Sequence, residues 1–329
     1  MRLAPPRPDT GVRACERAAM PIDPRQLFPA HLGEIRDVAR LAGGLSGAEV
    51  HAVTTATGKY VLRSQGTAGP AWHRAVALQR LAADAGIAPA LVAVDEATAT
   101  TISAHIAGVP LAVAAADPAQ RAATFGSLVQ ALARLHAIPL DPAVAAGKDI
   151  LATARDMWDS QRGRPGFPAW AAAADARLAA ACATVATDPR RVFCHMDVNP
   201  MNALWDGQRI WLLDWESAGP GHPYLDLATC SILLCLPDSD AAGLVGAQER
   251  AALDAGQLAV LGALRDLSRI VYGSAFLSLV PDLTAIAFAG RDETPTLVEC
   301  FTRLAAGALS PAAPSGQALL GAALLRQCA

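Results

Sequence analysis

Short runs of apolar and β-branched residues, separated by glycine-containing turns, form the first third of the chain. Gly43-Gly44 separates the first two runs, and Thr57-Gly58 marks a hairpin turn between the second and the third. A helical pattern follows from Ala71 to Ala85 and ends before Pro89. Two more strand-like runs come next, so the pattern predicts a small antiparallel sheet that carries one helix. The predicted strands are 38–41, 48–54, 60–63, 91–94 and 101–106.

The pattern becomes helical beyond Gly108-Val109-Pro110. Pro118 to His136 has apolar residues at helical spacing, Asp175 to Ala186 repeats the pattern, and helices resume after Pro223. We therefore predict an α+β fold of two lobes. Residues 21–107 form the small antiparallel sheet lobe, and residues 108–329 form a larger, mainly helical lobe.

The first 20 residues differ from the rest of the chain. They contain several prolines and arginines and no apolar stretch of the kind that a signal peptide needs. We expect a disordered, dispensable extension, because such a segment buries too little apolar surface to offset the entropy of ordering. Met20 is a second candidate start.

Composition narrows the function classes. The 329 residues are 53% hydrophobic and carry a formal net charge of −3, which gives no basic face for nucleic acid. No apolar run reaches the ~18 residues that a membrane span needs. The seven cysteines are scattered without a CxxC pair, which argues against a disulfide framework or a zinc site and favours a reducing cytoplasm. We expect a cytoplasmic protein with a small-molecule partner, and we find no signal for an oligomeric state.

Residues 192–216 carry most of the candidate chemistry. Val192 to Cys194 is a short predicted strand that leads into a polar loop containing Asp197. The next two apolar runs, 203–205 and 209–213, are joined by Asp206-Gly207, a strong hairpin signal. Because a hairpin brings its two ends together, its open end should gather Asn202, Asp214 and the loop around Asp197.

Two carboxylates and a carboxamide at one place offer the hard oxygen ligands that Mg²⁺ prefers. Phosphoryl transfer needs such a set, since one group orients the attacking hydroxyl and others hold the metal that neutralises the phosphates. Taken singly, each residue has a structural explanation: an Asp or Asn in a turn is usually a turn residue or a cap, and His195 alone would be a core histidine. The combination favours phosphoryl transfer.

The chain resembles the aminoglycoside phosphotransferase and choline kinase superfamily, whose members have a protein-kinase-like two-lobe fold. In motif it is most similar to the choline- and thiamine-kinase-like branches. The resemblance rests on three motifs in order: His195-x-Asp197-x4-Asn202, Asp214-Trp215-Glu216 and Asp226-Leu227-Ala228.

The resemblance implies roles for these residues. Asp197 would be the catalytic base, and Asn202 and Asp214 would be the Mg²⁺ ligands. Glu216 would assist near the metal or the substrate, and His195 would brace the catalytic loop together with Asp226.

The resemblance also implies an ATP site in the first lobe, with the second lobe holding the catalytic groups and the acceptor, a small-molecule alcohol. ATP would lie in the cleft between the lobes, with its adenine against the connection at 103–106. The implied nucleotide-binding residues are Gly43, Gly44, Ser46, Gly47, Arg63, Ser103 and His105.

Four features depart from the family pattern. Met196 and Met201 stand where smaller residues are common, and Arg63 stands where many members have Lys. The helix at 71–85 has no glutamate to pair with that cation.

These departures leave open a pseudokinase that binds nucleotide without turnover. A metal-dependent hydrolase is a further alternative, although its dinuclear metal site would need more His or Asp ligands. Acids are thinly spread after Asp226, which favours a small metabolite over a polycationic antibiotic as acceptor.

Overall fold

The computed structural model describes residues 23–41, 48–140 and 149–329. The predicted extension at 1–20 and the glycine loop with Gly43, Gly44, Ser46 and Gly47 lie outside the described residues. Contacts divide the chain into two units. Within the described residues, the first unit is 23–41, 48–68 and 93–102, and the second is 69–92, 103–140 and 149–329. The lobe boundary at residue 107 stays a prediction.

Five strands form one sheet, in the order β1-β2-β3-β5-β4. Strands β1, β2 and β3 pair antiparallel, with His51 opposite Leu62 and Thr54 opposite Lys59. The alternation along β2 buries His51, Val53 and Thr55 on one face, as a half-buried strand requires. The strand and hairpin predictions are therefore confirmed. The strands are β1 Ile35–Arg40, β2 Glu49–Thr55, β3 Lys59–Ser64, β4 Leu91–Asp95 and β5 Thr100–Ala104.

Helix α2, Pro70–Asp84, belongs to the second unit; the short helix α1, Pro24–Leu27, lies in the first. Pro70 occupies the first turn of α2, where its missing N–H is no loss. Leu78 and Ala82 contribute to the main core of the second unit. Gly86, with φ +68°, turns the chain after the helix.

The second unit is mainly helical around one long helix, α9, which begins with a capping box formed by Asp254 and Gln257. Helix α9 packs against α5, α6, α7 and α11. The helices are α3 Leu111–Ala116, α4 Pro118–His136, α5 Ile150–Arg162, α6 Ala174–Ala186, α7 Leu225–Leu233, α8 Asp238–Glu249, α9 Ala255–Ser278, α10 Leu297–Ala305 and α11 Pro314–Leu325. No helix in the described ranges combines the length and hydropathy of a membrane span.

Five short strands complete the described part of the second unit, and the polar loop with Asp197 lies between two of them. They form a three-stranded sheet, β6-β8-β9, and a two-stranded sheet, β7-β10. Ser127 of α4 accepts a hydrogen bond from the backbone N–H of Ile210 at 2.9 Å, which ties the sheet to the helical core. The strands are β6 Val109–Pro110, β7 Val192–Cys194, β8 Ala203–Trp205, β9 Ile210–Leu212 and β10 Gly219–Gly221.

Candidate active site

The hairpin of β8 and β9 forms as predicted, with Ala203 opposite Leu212 and Trp205 opposite Ile210. Its turn is held by Asp206, whose Oδ1 accepts the backbone N–H groups of Gln208 and Arg209, each at 2.8 Å. Gly207 has φ +94° there, a conformation that favours glycine. The open end closes through the Leu213 N–H, which donates to the Asn202 carbonyl at 2.8 Å. Asn202 and Asp214 are therefore neighbours of the loop that precedes β8.

Asp197 lies at the centre of this loop and accepts hydrogen bonds from three side chains. Asn202 Nδ2 donates to Oδ2 at 2.8 Å. Asn199 Nδ2 donates to Oδ1 at 3.2 Å, and the Tyr272 hydroxyl also donates to Oδ1. The carboxylate is thus held from both of its oxygens.

Burial raises the pKa of Asp197 above its ordinary value, and the hydrogen bond from Tyr272 lowers it part of the way back. The charge of His195 also lowers the pKa of Asp197, whereas the charge of Asp214 raises it. A carboxylate whose ionised form is disfavoured by burial is a stronger base than one in water. The surroundings of Asp197 therefore suit a group that takes up a proton.

The backbone of the loop is held by Asp226, at the start of α7. Its buried carboxylate accepts the N–H of His195 at 3.0 Å and the N–H of Met196 at 2.8 Å. Met196 has φ +65°, a left-handed conformation that glycine adopts most easily. The His195 ring is fully buried, and its Nε2 is 2.9 Å from the Leu213 carbonyl. Asp226 and His195 thus join the loop to its surroundings.

Behind the loop, three residue types that often bind metals lie together. One ligand atom each of His136, Cys194 and Asp226 lies within 4.8 Å of the others. Gln248 Nε2 lies 3.3 Å from His136 Nδ1, and His136 Nε2 lies 3.5 Å from Asp226 Oδ2. The group is therefore a hydrogen-bonded support for the loop.

Asp214 follows β9 with φ +66° and ψ 77° and caps a short 3₁₀ turn, Trp215–Ser217. A non-glycine residue in this region is uncommon outside functional sites and special turns. Glu216, in the same turn, is exposed. The residue between them, Trp215, is buried against His195, with ring centroids 4.6 Å apart. The buried indole thus anchors the turn that carries both acids.

The other predicted binding residues, Arg63, Ser103 and His105, lie on or directly after strands of the five-stranded sheet. Arg63 is half-buried on β3, opposite Val50. Ser103 is on β5 and His105 follows it directly; both are half-buried. Their assignment to the nucleotide stays a prediction.

Sequence reasoning did not assign a role to Tyr272 or to Asn199. Asn199 lies inside the loop motif, and its Oδ1 also accepts the N–H groups of Met201 and Asn202 at 2.9 and 3.2 Å. Tyr272 lies 75 residues beyond Asp197 on α9. Its only signal is rarity, since the chain has three tyrosines.

Comparisons with solved structures agree on the fold. A choline/ethanolamine kinase family protein from Mesorhizobium loti is 20% identical with a TM-score of 0.66, covering 91% of this chain and 96% of its own. LicA, the choline kinase of Streptococcus pneumoniae, is 14% identical with a TM-score of 0.59, covering 85% and 95%; LicA has also been solved in complex with AMP. Macrolide 2'-phosphotransferase MphH from Brachybacterium faecium is 20% identical with a TM-score of 0.56, covering 77% and 91%.

These likenesses confirm the predicted fold class, a small antiparallel sheet with a larger, mainly helical part. A search of curated proteins found no match. The model of the phosphotransferase enzyme family matches residues 37–267. That range includes nearly all of the five-stranded sheet and the loop around Asp197, and it covers more than half of the 329 residues. The chain therefore belongs to the phosphotransferase enzyme family.

Proposed function

We propose that this protein uses ATP and Mg²⁺ to phosphorylate a hydroxyl group of a small molecule. The observation that carries the proposal is the hydrogen bond of 2.8 Å between Asn202 Nδ2 and Asp197 Oδ2. It joins a half-buried carboxylate to a carboxamide at the open end of the hairpin, next to Asp214. Phosphoryl transfer needs a group that orients the nucleophile beside groups that hold the metal.

Asp197 is the proposed base. It takes the proton of the acceptor hydroxyl as the acceptor oxygen attacks the terminal phosphorus of ATP, and ADP leaves. Its raised pKa supports this role, because proton transfer is most effective when the pKa of the base approaches the working pH. The hydrogen bonds from Asn199 and Asn202 keep the carboxylate in a defined orientation.

Asn202 and Asp214 are the proposed Mg²⁺ ligands, and their donor atoms fit that ion. The Asn202 nitrogen faces Asp197, so its amide oxygen is left as the ligand atom. Asp214 adds a carboxylate, and Mg²⁺ prefers hard oxygen donors of this kind, together with substrate phosphates. When bound, the ion would neutralise charge on the phosphates. Glu216, exposed beside Asp214, would assist near the metal or the substrate.

The nucleotide is proposed to contact the loop with Gly43, Gly44, Ser46 and Gly47, together with Arg63, Ser103 and His105. Arg63 would hold phosphates through its fork of donors. His195 acts only indirectly in this proposal, since its ring is buried and its Nε2 faces the Leu213 carbonyl.

The proposed acceptor is a choline-, thiamine- or aminoglycoside-like alcohol. Two of the acids in the second half of the chain that could attract a polycation are engaged in ion pairs. Asp266 pairs with Arg177 and Arg269, each at 2.8 Å, and Glu249 pairs with Arg190 at 2.8 Å. This supports a small metabolite over a polycationic antibiotic.

A coupled assay of ADP release tests the proposal. The full chain is assayed with ATP and Mg²⁺ against a panel of neutral alcohols, quaternary-ammonium alcohols and aminoglycosides, with parallel reactions in EDTA. We expect acceptor-dependent ADP release that EDTA abolishes. Binding of Mg²⁺-ATP without ADP release for any acceptor would favour the pseudokinase alternative instead. No contact described above favours that alternative.

A further inference from the structure

Among the residues that the structure describes, Tyr272 is the one that donates a hydrogen bond to the Asp197 carboxylate from outside the loop and hairpin described above. Tyr272 lies on α9 and donates to Asp197 Oδ1. An ionised carboxylate only accepts hydrogen bonds, so the phenol is the donor. Burial, and then the charge of Asp197, raise the pKa of Tyr272 well above its ordinary value. The phenol therefore keeps its proton and remains a donor.

The hydrogen bonds divide unequally between the two carboxylate oxygens. Oδ1 accepts from the Tyr272 hydroxyl and from Asn199 Nδ2. Oδ2 accepts from Asn202 Nδ2. Each carboxylate oxygen offers about two lone-pair sites, so donors among the described residues use both sites of Oδ1 and one of the two sites of Oδ2. An acceptor hydroxyl that approaches Asp197 would therefore donate to Oδ2.

Tyr272 can impose this arrangement because its helix is held firmly. The next residue, Gly273, lies so close to α11 that a Cβ there would be 2.8 Å from Leu325 Cγ and 3.2 Å from the Gly321 carbonyl. The hydroxyls of Thr229 on α7 and Ser268 on α9 lie 3.0 Å apart. Helix α7 also carries Asp226, which holds the backbone of the loop. The loop and the phenol are thus both held by the packed pair of helices α7 and α9.

We propose that Tyr272 is a positioning residue for phosphoryl transfer. Its hydroxyl occupies Oδ1 of Asp197 and leaves Oδ2 to take the proton of the acceptor. This inference rests on the proposed function. The terminal torsion of an aspartate is broad, so a carboxylate that lost this donor would rotate more freely. The productive orientation would then be populated less, while the binding of either substrate would change little.

The test is Tyr272→Phe, which keeps the ring and removes the donor. We expect kcat to fall about tenfold to a hundredfold, the range for a hydrogen bond to a charged group. The KM values for ATP and for the acceptor should stay within about twofold, because in this proposal the hydroxyl acts on Asp197 and not on a substrate. Tyr60→Phe is the matched control, because Tyr60 lies on β3 and packs against Phe28; its kcat should equal that of the wild type.

A double-mutant cycle with Asp197→Asn separates positioning from structural damage. If Tyr272 acts through Asp197, adding Tyr272→Phe to Asp197→Asn causes no further loss of the residual rate. An undiminished second loss, or an unchanged kcat in Tyr272→Phe alone, overturns the inference. Thermal unfolding of each variant checks that the fold is kept.

Failure of this inference and failure of the proposed function give different results. If the wild type transfers phosphate and Asp197→Asn does not, a fully active Tyr272→Phe overturns the role of Tyr272 alone. If the wild type transfers no phosphate to any acceptor, both are overturned together.

Discussion

Asn202 donates its side-chain N–H to Asp197 Oδ2 at 2.8 Å, and the same nitrogen lies 3.3 Å from the Asp197 carbonyl oxygen. One amide thus holds the side chain and the backbone of the candidate base, and its oxygen remains for a metal. If Asp197 is the base and Asn202 a metal ligand, as proposed, the contact would couple proton acceptance to metal binding within six consecutive residues. A change at either residue should therefore disturb the chemistry more than the fold.

Asp197→Asn should remove most of the turnover. The amide keeps the size of the side chain but lacks the charge and basicity of the carboxylate, and a positioned base typically contributes about 10²–10⁴-fold. We expect kcat to fall within that range while nucleotide affinity, measured by calorimetry, stays near the wild-type value. Asp292→Asn, an exposed change, is the control. Full activity in Asp197→Asn would remove Asp197 from the mechanism.

Asp214→Asn should weaken nucleotide binding only when Mg²⁺ is present. Asparagine tolerates the left-handed conformation of Asp214, φ +66°, as well as aspartate does. The change therefore removes a charge without straining the turn. Calorimetric titration with ADP should show an affinity that rises with Mg²⁺ in the wild type and does not rise in the variant. An unchanged response to Mg²⁺ would show that Asp214 does not hold the ion.

Arg63→Ala should raise the KM for ATP by about tenfold, since a hydrogen bond to a charged group contributes about 1.5–3 kcal/mol. The KM of the acceptor should change little. Arg36→Ala is the matched control, because Arg36 is an exposed arginine on β1. If both variants had the same KM for ATP, the proposed contact between Arg63 and the phosphates would be wrong.

Asp188 should make stability depend on pH. Its hydrogen bond with Arg190 holds the pKa of Asp188 well below its ordinary value, and a weaker contribution comes from His222, 3.1 Å away. A group whose pKa is lowered in the folded state stabilises fully above its unfolded pKa of about 3.9 and loses that effect as pH falls through the folded pKa.

The free energy of unfolding of the wild type should therefore decrease as pH falls from about 5 to below 3. Asp188→Asn should be less stable at pH 7 and should lose less over that interval. Urea unfolding at four pH values measures both effects. Asp292→Asn controls for the loss of one exposed charge, and a decrease of the same size in Asp188→Asn as in the wild type would contradict the prediction.

Arg250→Gly should stabilise the protein. Arg250 ends α8 with φ +58° and is exposed. A side chain in the left-handed region costs about 1–2 kcal/mol, and glycine gives back part of the gain through the entropy of its unfolded state. We expect a net increase of about 0.5–1 kcal/mol in the free energy of unfolding. Arg250→Ala, which keeps the strain, should show no such increase by urea denaturation.

Much of the site was predictable because it is local in the sequence. Asp206-Gly207 specifies a tight hairpin, and a hairpin necessarily brings Asn202 close to Asp214. The polar loop with Asp197 directly precedes that hairpin, so its proximity follows from chain connectivity. The strands of the five-stranded sheet were predictable for the same reason, since alternation and turn residues act between near neighbours.

Local patterns did not predict the conformation of the loop, because it depends on a residue about 30 positions away. Only the family resemblance implied that Asp226 braces the loop. Asp226 accepts the N–H groups of His195 and Met196, and Met196 adopts a positive φ of +65° there. From the sequence, Met196 was a bulky substitute for a common glycine. The structure explains the preference for glycine at this position, since the backbone has a positive φ. Met196 adopts that φ at the cost of strain.

Tyr272 shows the same limit more sharply. Hydrophobic periodicity predicts helices in the last third of the chain but does not say which helix faces the loop. The approach of α9 to Asp197 depends on close packing at Gly273 and Gly321, and small residues in a helix have no pattern that identifies their partner. Motif and turn chemistry thus determine which groups carry the chemistry. Long-range packing determines how each group is oriented, because hydrogen bonds between distant segments form only once the helices have met.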